Sequence, residues 1–204
     1  MSCLCDEFLS PSFAKACGLE EDEFRKLAIF LAAVHDIGKA TVIFQYKIGK
    51  NLPERRSALE SAGIVFPDYY VKENAVKTPH ALAGEEILNL LSCPECVSTV
   101  VGSHHGVPAE SVQDLSWPQK DIAVYENYYG RDKENVEVLQ DIWQKIFDMA
   151  LDYAGFLDVS ELPDIDRSSQ LLLSGLLIMA DWLASNTEPV SYTHLRAHET
   201  DQYL

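Results

Sequence analysis

Apolar residues recur at helical spacing along most of this chain. From Glu23 to Val34 they fall at Phe24, Leu27, Ala28, Phe30, Leu31 and Val34, which predicts one buried helix face. The acidic run Glu20 to Glu23 suits the first turn of that helix. Thr41 to Gln45 opens a second short element with Phe44 as its core anchor. Lys47 to Thr78 contains Gly49, Pro53, Gly63 and Pro67 and reads as a long, partly irregular connection. Thr78-Pro79-His80 starts the next helix, with Pro well placed in a first turn. Its buried face is Ala83, Ile87, Leu88 and Leu91. Cys93-Pro94-Glu95-Cys96 interrupts, and Val97, Val100 and Val101 continue as a short helix into Gly102. Asp121 to Gly155 predicts one or two helices, the stronger carrying Val138, Leu139, Ile142, Ile146, Phe147 and Ala150. Phe156 to Asp166 reads as an acidic loop, and Ser168 or Ser169 as the cap of a final helix reaching about Ser185.

No strand alternation, internal repeat or low-complexity tract interrupts this pattern. The expected fold class is all-α, a helical bundle. At 204 residues the chain suits one domain with a sizeable core. The longest apolar run, Leu171 to Ala180, is broken by Ser174 and followed by Asp181, so it is too short and too polar for a membrane span. No signal peptide is visible, and the five Cys suggest reduced thiols in a cytoplasm.

The net charge of −16 argues against a stand-alone nucleic-acid-binding surface. The charge is unevenly spread, however. Lys39, Lys47, Lys50, Arg55, Arg56, Lys72 and Lys77 face only Glu54, Glu60, Asp68 and Glu73 in the segment from 39 to 77. That segment is either an ordinary solvated loop or a path for a nucleic-acid strand.

The C-terminal stretch Ser191-Tyr192-Thr193-His194-Leu195-Arg196-Ala197-His198-Glu199-Thr200 looks like a translated sequencing-library adapter. The expected domain is therefore 1–188, with its N-terminus truncated, and 189–204 is a non-native tail. His194 and His198 are set aside as candidate ligands on that ground.

The chemistry concentrates where the first long helix ends. His35-Asp36 is followed by Ile37-Gly38-Lys39. His35 continues the apolar face and Asp36 is turned from it by about 100°, so the pair can grip two ions or two sides of one. Gly38 is expected to permit the turn that stops the helix. Lys39 stands where its charge could meet a phosphate oxygen. Taken alone, the pair reads equally as a satisfied His with a polar cap. His80 alone reads more readily as a helix-end polar residue. His104-His105 is rarer, because two imidazoles at the end of an apolar helix cost desolvation without a partner. Asp181 follows a long apolar run and should be paired or bind a cation. Its seven- and four-residue spacing to Ser174 and Ser185 also fits a solvent-facing polar stripe.

The four His and two Asp suit divalent transition metals such as Mn, Fe, Co, Ni or Zn better than Mg or Ca. Six ligands exceed what one catalytic ion takes with a position left open. Two ions roughly 3.5–4 Å apart would use them, an arrangement that serves phosphoester hydrolysis.

His35-Asp36-Ile37-Gly38-Lys39, Phe44-Gln45, His80, Ser103-His104-His105-Gly106 and Ala180-Asp181-Trp182-Leu183-Ala184-Ser185-Asn186 together resemble the HD nuclease domain of CRISPR-associated nuclease-helicases of type I systems. The resemblance spans about Phe24 to Asn186, within the wider HD phosphohydrolase superfamily. It implies a helical bundle that cleaves single-stranded DNA at a two-ion site. It implies His35, Asp36 and Asp181 on one ion. Asp36 is shared with a second ion that takes His80, His104 and His105. A bridging hydroxide would attack the phosphorus, and Lys39 would hold a non-bridging phosphate oxygen, so Asp36 and Lys39 carry the catalytic roles. The implied partners are single-stranded DNA, a fused or separate helicase and a CRISPR RNA-guided effector complex, with no membrane involved. One departure stands out: the family has a further His upstream of the pair, and Met1 to Val34 contain none.

Three other readings compete. A phosphodiesterase of the HD-GYP type shares His-Asp-Ile-Gly-Lys, but expects Asp-Gly-x-Gly-Tyr-Pro after the double His, where Gly106-Val107-Pro108-Ala109-Glu110 stands. A zinc or redox module on Cys93 and Cys96 lacks a second Cys pair at the right spacing. A degenerate HD module would bind without cleaving.

Overall fold

The computed structural model describes residues 10–68, 77–106 and 121–185. Cys3, Cys5, the 107–110 stretch after the double His and the tail from 189 lie outside the described residues. Nine α-helices form among the described residues, with no strand, in keeping with the all-α expectation. They are α1 (Ser10–Cys17), α2 (Glu21–Val34), α3 (Val42–Gly49), α4 (Pro53–Ser61) and α5 (His80–Leu90), followed by α6 (Glu95–Gly102), α7 (Ile122–Tyr129), α8 (Glu134–Ala154) and α9 (Arg167–Ser185). Short 3₁₀ turns occupy Ile37–Lys39 and Val159–Glu161.

The centre of the bundle is α2. Glu21, Asp22 and Glu23 complement the positive end of its dipole. Phe24, Leu27, Ala28, Ile29, Phe30, Leu31 and Val34 are all buried. α8 lies against it, with the Phe30 and Phe147 rings edge to face at 5.7 Å. α1, α6 and α9 close around the remaining faces. Trp143 on α8 is fully buried and donates its indole N–H to the Ala40 carbonyl at 2.8 Å. That bond ties the segment leaving α2 to the longest helix.

Several elements differ from the sequence-based expectation. The irregular connection after Lys47 contains a full helix, α4, started by Pro53. Its residues are all partly or fully exposed, so no apolar periodicity announced it. The region from 121 to 155 holds two helices, within the one or two expected. Asp121 caps the first through the Ala123 and Val124 amides. Gly155, at φ +89°, ends the second. Asp166 caps α9, accepting from the Ser169 amide and hydroxyl at 2.8 and 2.7 Å. Ser169 is therefore the donor in that cap, because a carboxylate accepts better than a hydroxyl at a helix start.

Phe44 is only half-buried and is not the core anchor of α3; Val42, Ile43 and Tyr46 take that role. Gly38 is also placed for a different reason than a helix stop, since it has no left-handed φ. A Cβ there would run into the His80 carbonyl oxygen and sit 2.5 Å from the Gly84 amide nitrogen. Its missing side chain lets the 3₁₀ turn and the start of α5 touch backbone to backbone. Among the described residues no single helix is long and apolar enough to cross a membrane.

Candidate metal centre

Two histidines owe their orientation to the same local device. A helix leaves its last carbonyls unpaired, and a His just past the end can donate to one of them. His35 follows α2 directly, and its Nδ1 donates to the Ala32 carbonyl at 2.8 Å. His104 follows α6 by two positions, and its Nδ1 donates to the Val101 carbonyl at 2.6 Å. A carbonyl only accepts, so Nδ1 carries the hydrogen and Nε2 keeps its lone pair in both rings.

Those lone pairs converge. His35 Nε2 lies 3.4 Å from Asp36 Oδ2 and 3.6 Å from Asp181 Oδ1. Asp36 Oδ1 lies 3.5 Å from His80 Nε2, so this carboxylate stands between two imidazoles. His80 opens α5, and the Thr78 just before it is buried and held by the Asn127 amide at 2.8 Å. His105 packs its ring 4.6 Å from His80 and 4.3 Å from His104. His35 and His104 stack edge to face at 5.5 Å. Lys39 donates to Asp36 Oδ2 at 2.6 Å. His35, Asp36, Lys39, His80, His104 and His105 thus lie side by side.

Asp181 joins them from the last helix. Ser174, two turns earlier, is buried and shares a 2.9 Å hydrogen bond with Ser103. The polar stripe expected on this helix therefore runs inward at Ser174 and turns outward only at Ser185, which donates to Asp181 Oδ1 at 3.3 Å.

The donor set fits a metal ion. The Nε2 atoms of His35 and His104 are buried without a hydrogen-bond partner. A ligand atom from each of His80, His104 and His105 lies within 4.8 Å of the others. Buried lone pairs without partners are costly, and a divalent cation satisfies them. Electrostatics agrees. Burial, reinforced by the neighbouring imidazoles, pushes His80 down to about 4. Burial does the same to His104, also to about 4, and lowers His105. Neutral imidazole is the ligating form. Burial alone would raise Asp36, but the Lys39 hydrogen bond and ammonium, with the imidazoles beside it, outweigh it and hold the carboxyl below its usual range.

Among the described residues the Cys pair belongs to no group of three or more metal-type ligands. Burial, with Cys96 beside it, pushes the Cys93 thiol up to about 12, and burial also raises Cys96. Protonated thiols are poor ligands.

The sequence pattern groups Phe44 and Gln45 with the site motifs but gives them no role beside the cluster, Phe44 reading as a core anchor. The Phe44 ring lies 5.5 Å from the His80 ring, and Gln45 donates to the Lys39 carbonyl at 2.6 Å. An aromatic on a short apolar helix carries no signal that separates core from site.

A helical bundle whose helix ends gather a His-Asp pair, a later His, a His doublet and a distal Asp defines an HD-type metal centre. Residues 1–190 match the family described as "Cas3, HD domain", and the chain belongs to that family. It is 38% identical over 178 residues to the CRISPR-associated nuclease/helicase Cas3 of Streptococcus thermophilus, covering 81% of this chain and 18% of that protein. Among solved structures it resembles T. fusca Cas3, with a TM-score of 0.59 at 22% identity over 91% of this chain and 20% of that one. It also resembles a chain of a "CRISPR RNA-guided surveillance complex, pre-nicking", with a TM-score of 0.59 at 21% identity, again over 91% of this chain and 21% of that one. The chain spans about one-fifth of the length of these relatives.

Proposed function

We propose that this chain is a metal-dependent DNA nuclease of CRISPR interference, hydrolysing phosphodiester bonds of single-stranded DNA. The observation that carries the reading is Asp36, within 3.5 Å of imidazole nitrogens from the residue that ends α2 and the residue that opens α5. In this reading His35, Asp36 and Asp181 hold one ion, and Asp36, His80, His104 and His105 the other. Two divalent ions of the Mn, Fe, Co, Ni or Zn kind would supply Lewis-acid polarisation of the phosphate and a nucleophilic water at neutral pH.

The chain's own residues do the rest. The Ala32 and Val101 carbonyls fix the tautomer of His35 and His104, so each keeps an Nε2 lone pair for the centre. Asp36 joins the two halves. Lys39, half-exposed beside Asp36, takes a non-bridging phosphate oxygen and neutralises its charge.

The named relative is a nuclease/helicase about five times longer than this chain, which supports a helicase part as partner, and a similar fold sits in an RNA-guided surveillance complex, which supports an effector complex as another. A strongly acidic chain gains DNA affinity from such partners. Family membership disfavours the cyclic-dinucleotide alternative. The domain is taken as 1–188, with 189–204 outside it, which sequencing the genomic locus tests.

The deciding experiment is incubation of the metal-loaded chain with circular single-stranded DNA. Divalent-dependent nicking is expected, and Asp36→Ala should abolish it. Metal binding with no cleavage by the unsubstituted chain would establish the non-catalytic alternative.

A further inference from the structure

The residues leaving the metal centre reverse the charge of the chain. From Lys39 to Arg56 there are five basic residues (Lys39, Lys47, Lys50, Arg55, Arg56) and one acid, Glu54, in a protein of net charge −16. This segment forms the end of the 3₁₀ turn, α3 and the start of α4. It is physically joined to the site at two points. Phe44 packs its ring 5.5 Å from His80, with the Lys39 ammonium 6.0 Å above it. Gln45 uses both ends of its amide, donating to the Lys39 carbonyl at 2.6 Å and accepting from Arg55 Nε at 3.1 Å.

The two adjacent arginines are used differently. Arg56 is half-buried, sits over the Tyr46 and Phe66 rings at 5.9 and 5.3 Å, and pairs with Glu60 at 2.8 Å. It is a structural residue. Arg55 is exposed and has no carboxylate partner among the described residues. Its contact with Gln45 employs Nε alone, so the paired amines of the fork stay available for a phosphate. A half-buried aromatic ring beside a reaction centre, followed by a pre-set guanidinium, is the chemistry that binds a single strand: a base against the ring, a phosphate on the fork.

We infer that the α3–α4 face is the track for the single-stranded DNA next to the cleaved bond. Phe44 packs against the base beside the reacting phosphate, and Arg55, set by Gln45, takes a phosphate beyond it. The inference rests on the DNA-nuclease reading of the centre, and its test reads binding separately from cleavage.

The test is fluorescence anisotropy of a labelled oligothymidylate titrated with the Mn²⁺-loaded chain at several salt concentrations. Arg55→Gln should weaken binding about tenfold and reduce the salt slope by about one. Phe44→Leu should also weaken it about tenfold, and Phe44→Trp should restore it. Arg56→Gln should change Kd less than twofold, since Glu60 already uses that charge. Thermal melts confirm that each variant folds. Equal losses for Arg55→Gln and Arg56→Gln would reduce the effect to bulk charge and overturn the inference. So would failure of the unsubstituted chain to bind the oligonucleotide. Binding that follows the expected pattern without any cleavage would uphold the track and sink the nuclease reading instead.

Discussion

The Nε2 atoms of His80 and His105 lie 2.8 Å apart, although the rings come from different helix ends. Two neutral imidazoles at that distance need a proton or a cation between their lone pairs. Either neutral ring can supply an Nε2–H for a hydrogen bond to the other, and a divalent cation bound there would take both lone pairs instead. His105→Ala should therefore lower metal content, read by mass spectrometry of the desalted protein, while the helical circular dichroism stays unchanged. Full retention of metal would place the ion elsewhere.

Asp36 stands between both halves of the centre, so its loss should cost more than loss of either flanking imidazole. Asp36→Asn keeps the shape but removes the charge. We expect cleavage to fall at least about a hundredfold, a scale set by the loss of charge stabilisation at a phosphate. Asp181→Asn, which touches only the His35 side, should fall less. The reverse ranking would contradict the shared role given to Asp36.

The pH dependence of stability has a definite sign. In the metal-free fold His80 and His104 sit at about 4, against an ordinary 6.5. Between those values the unfolded chain binds protons that the folded chain refuses, so stability rises with pH across that window and levels off above it. Asp36, held below its usual range, adds the same sign in a lower window, under its ordinary 3.8. Melting of the metal-free chain should shift downward from pH 7 to pH 5. In a His80→Gln, His104→Gln double variant that slope should flatten.

Gly38→Ala is expected to be among the most damaging single-methyl insertions. The new Cβ meets the His80 carbonyl and the Gly84 amide, which are helix backbone and cannot swing aside. Overpacking of this kind costs about 3 kcal/mol, or a drop of roughly 10 °C in Tm for a chain of this size. His80 must move with its backbone, so metal affinity should fall too. An unchanged Tm would show that α5 can slide.

Cys93→Ser should leave metal content intact. The thiol is buried and held protonated, so the substitution places a hydroxyl in an apolar setting at a cost of about 1 kcal/mol. Loss of metal in this variant would revive the Cys-based module.

The fold class and the cluster were legible because both rest on rare patterns. α2 repeats its apolar residues faithfully up to His35, and a His doublet after a valine-rich helix has few uses. α4 was not legible because it buries nothing completely, and helices that stay on the surface leave no period to read. Gly38 was read as a helix stop because a Gly after a helix most often is one. Its true constraint comes from His80 and Gly84, distant in sequence. Ser174 was grouped correctly with Asp181 and Ser185, but spacing alone cannot say which way a stripe faces; the bond to Ser103 does.

Asp181 comes from the last described helix, while His35 and Asp36 come from the first long one. Synthesis proceeds from the N-terminus, and packed elements form as they emerge. A chain still on the ribosome therefore carries imidazoles and one carboxylate but lacks the second until α9 docks beside α2 and α6. On this order of synthesis the proposed centre lacks one of its two carboxylates for as long as α9 is unmade, so a chain short of α9 would carry no complete metal site.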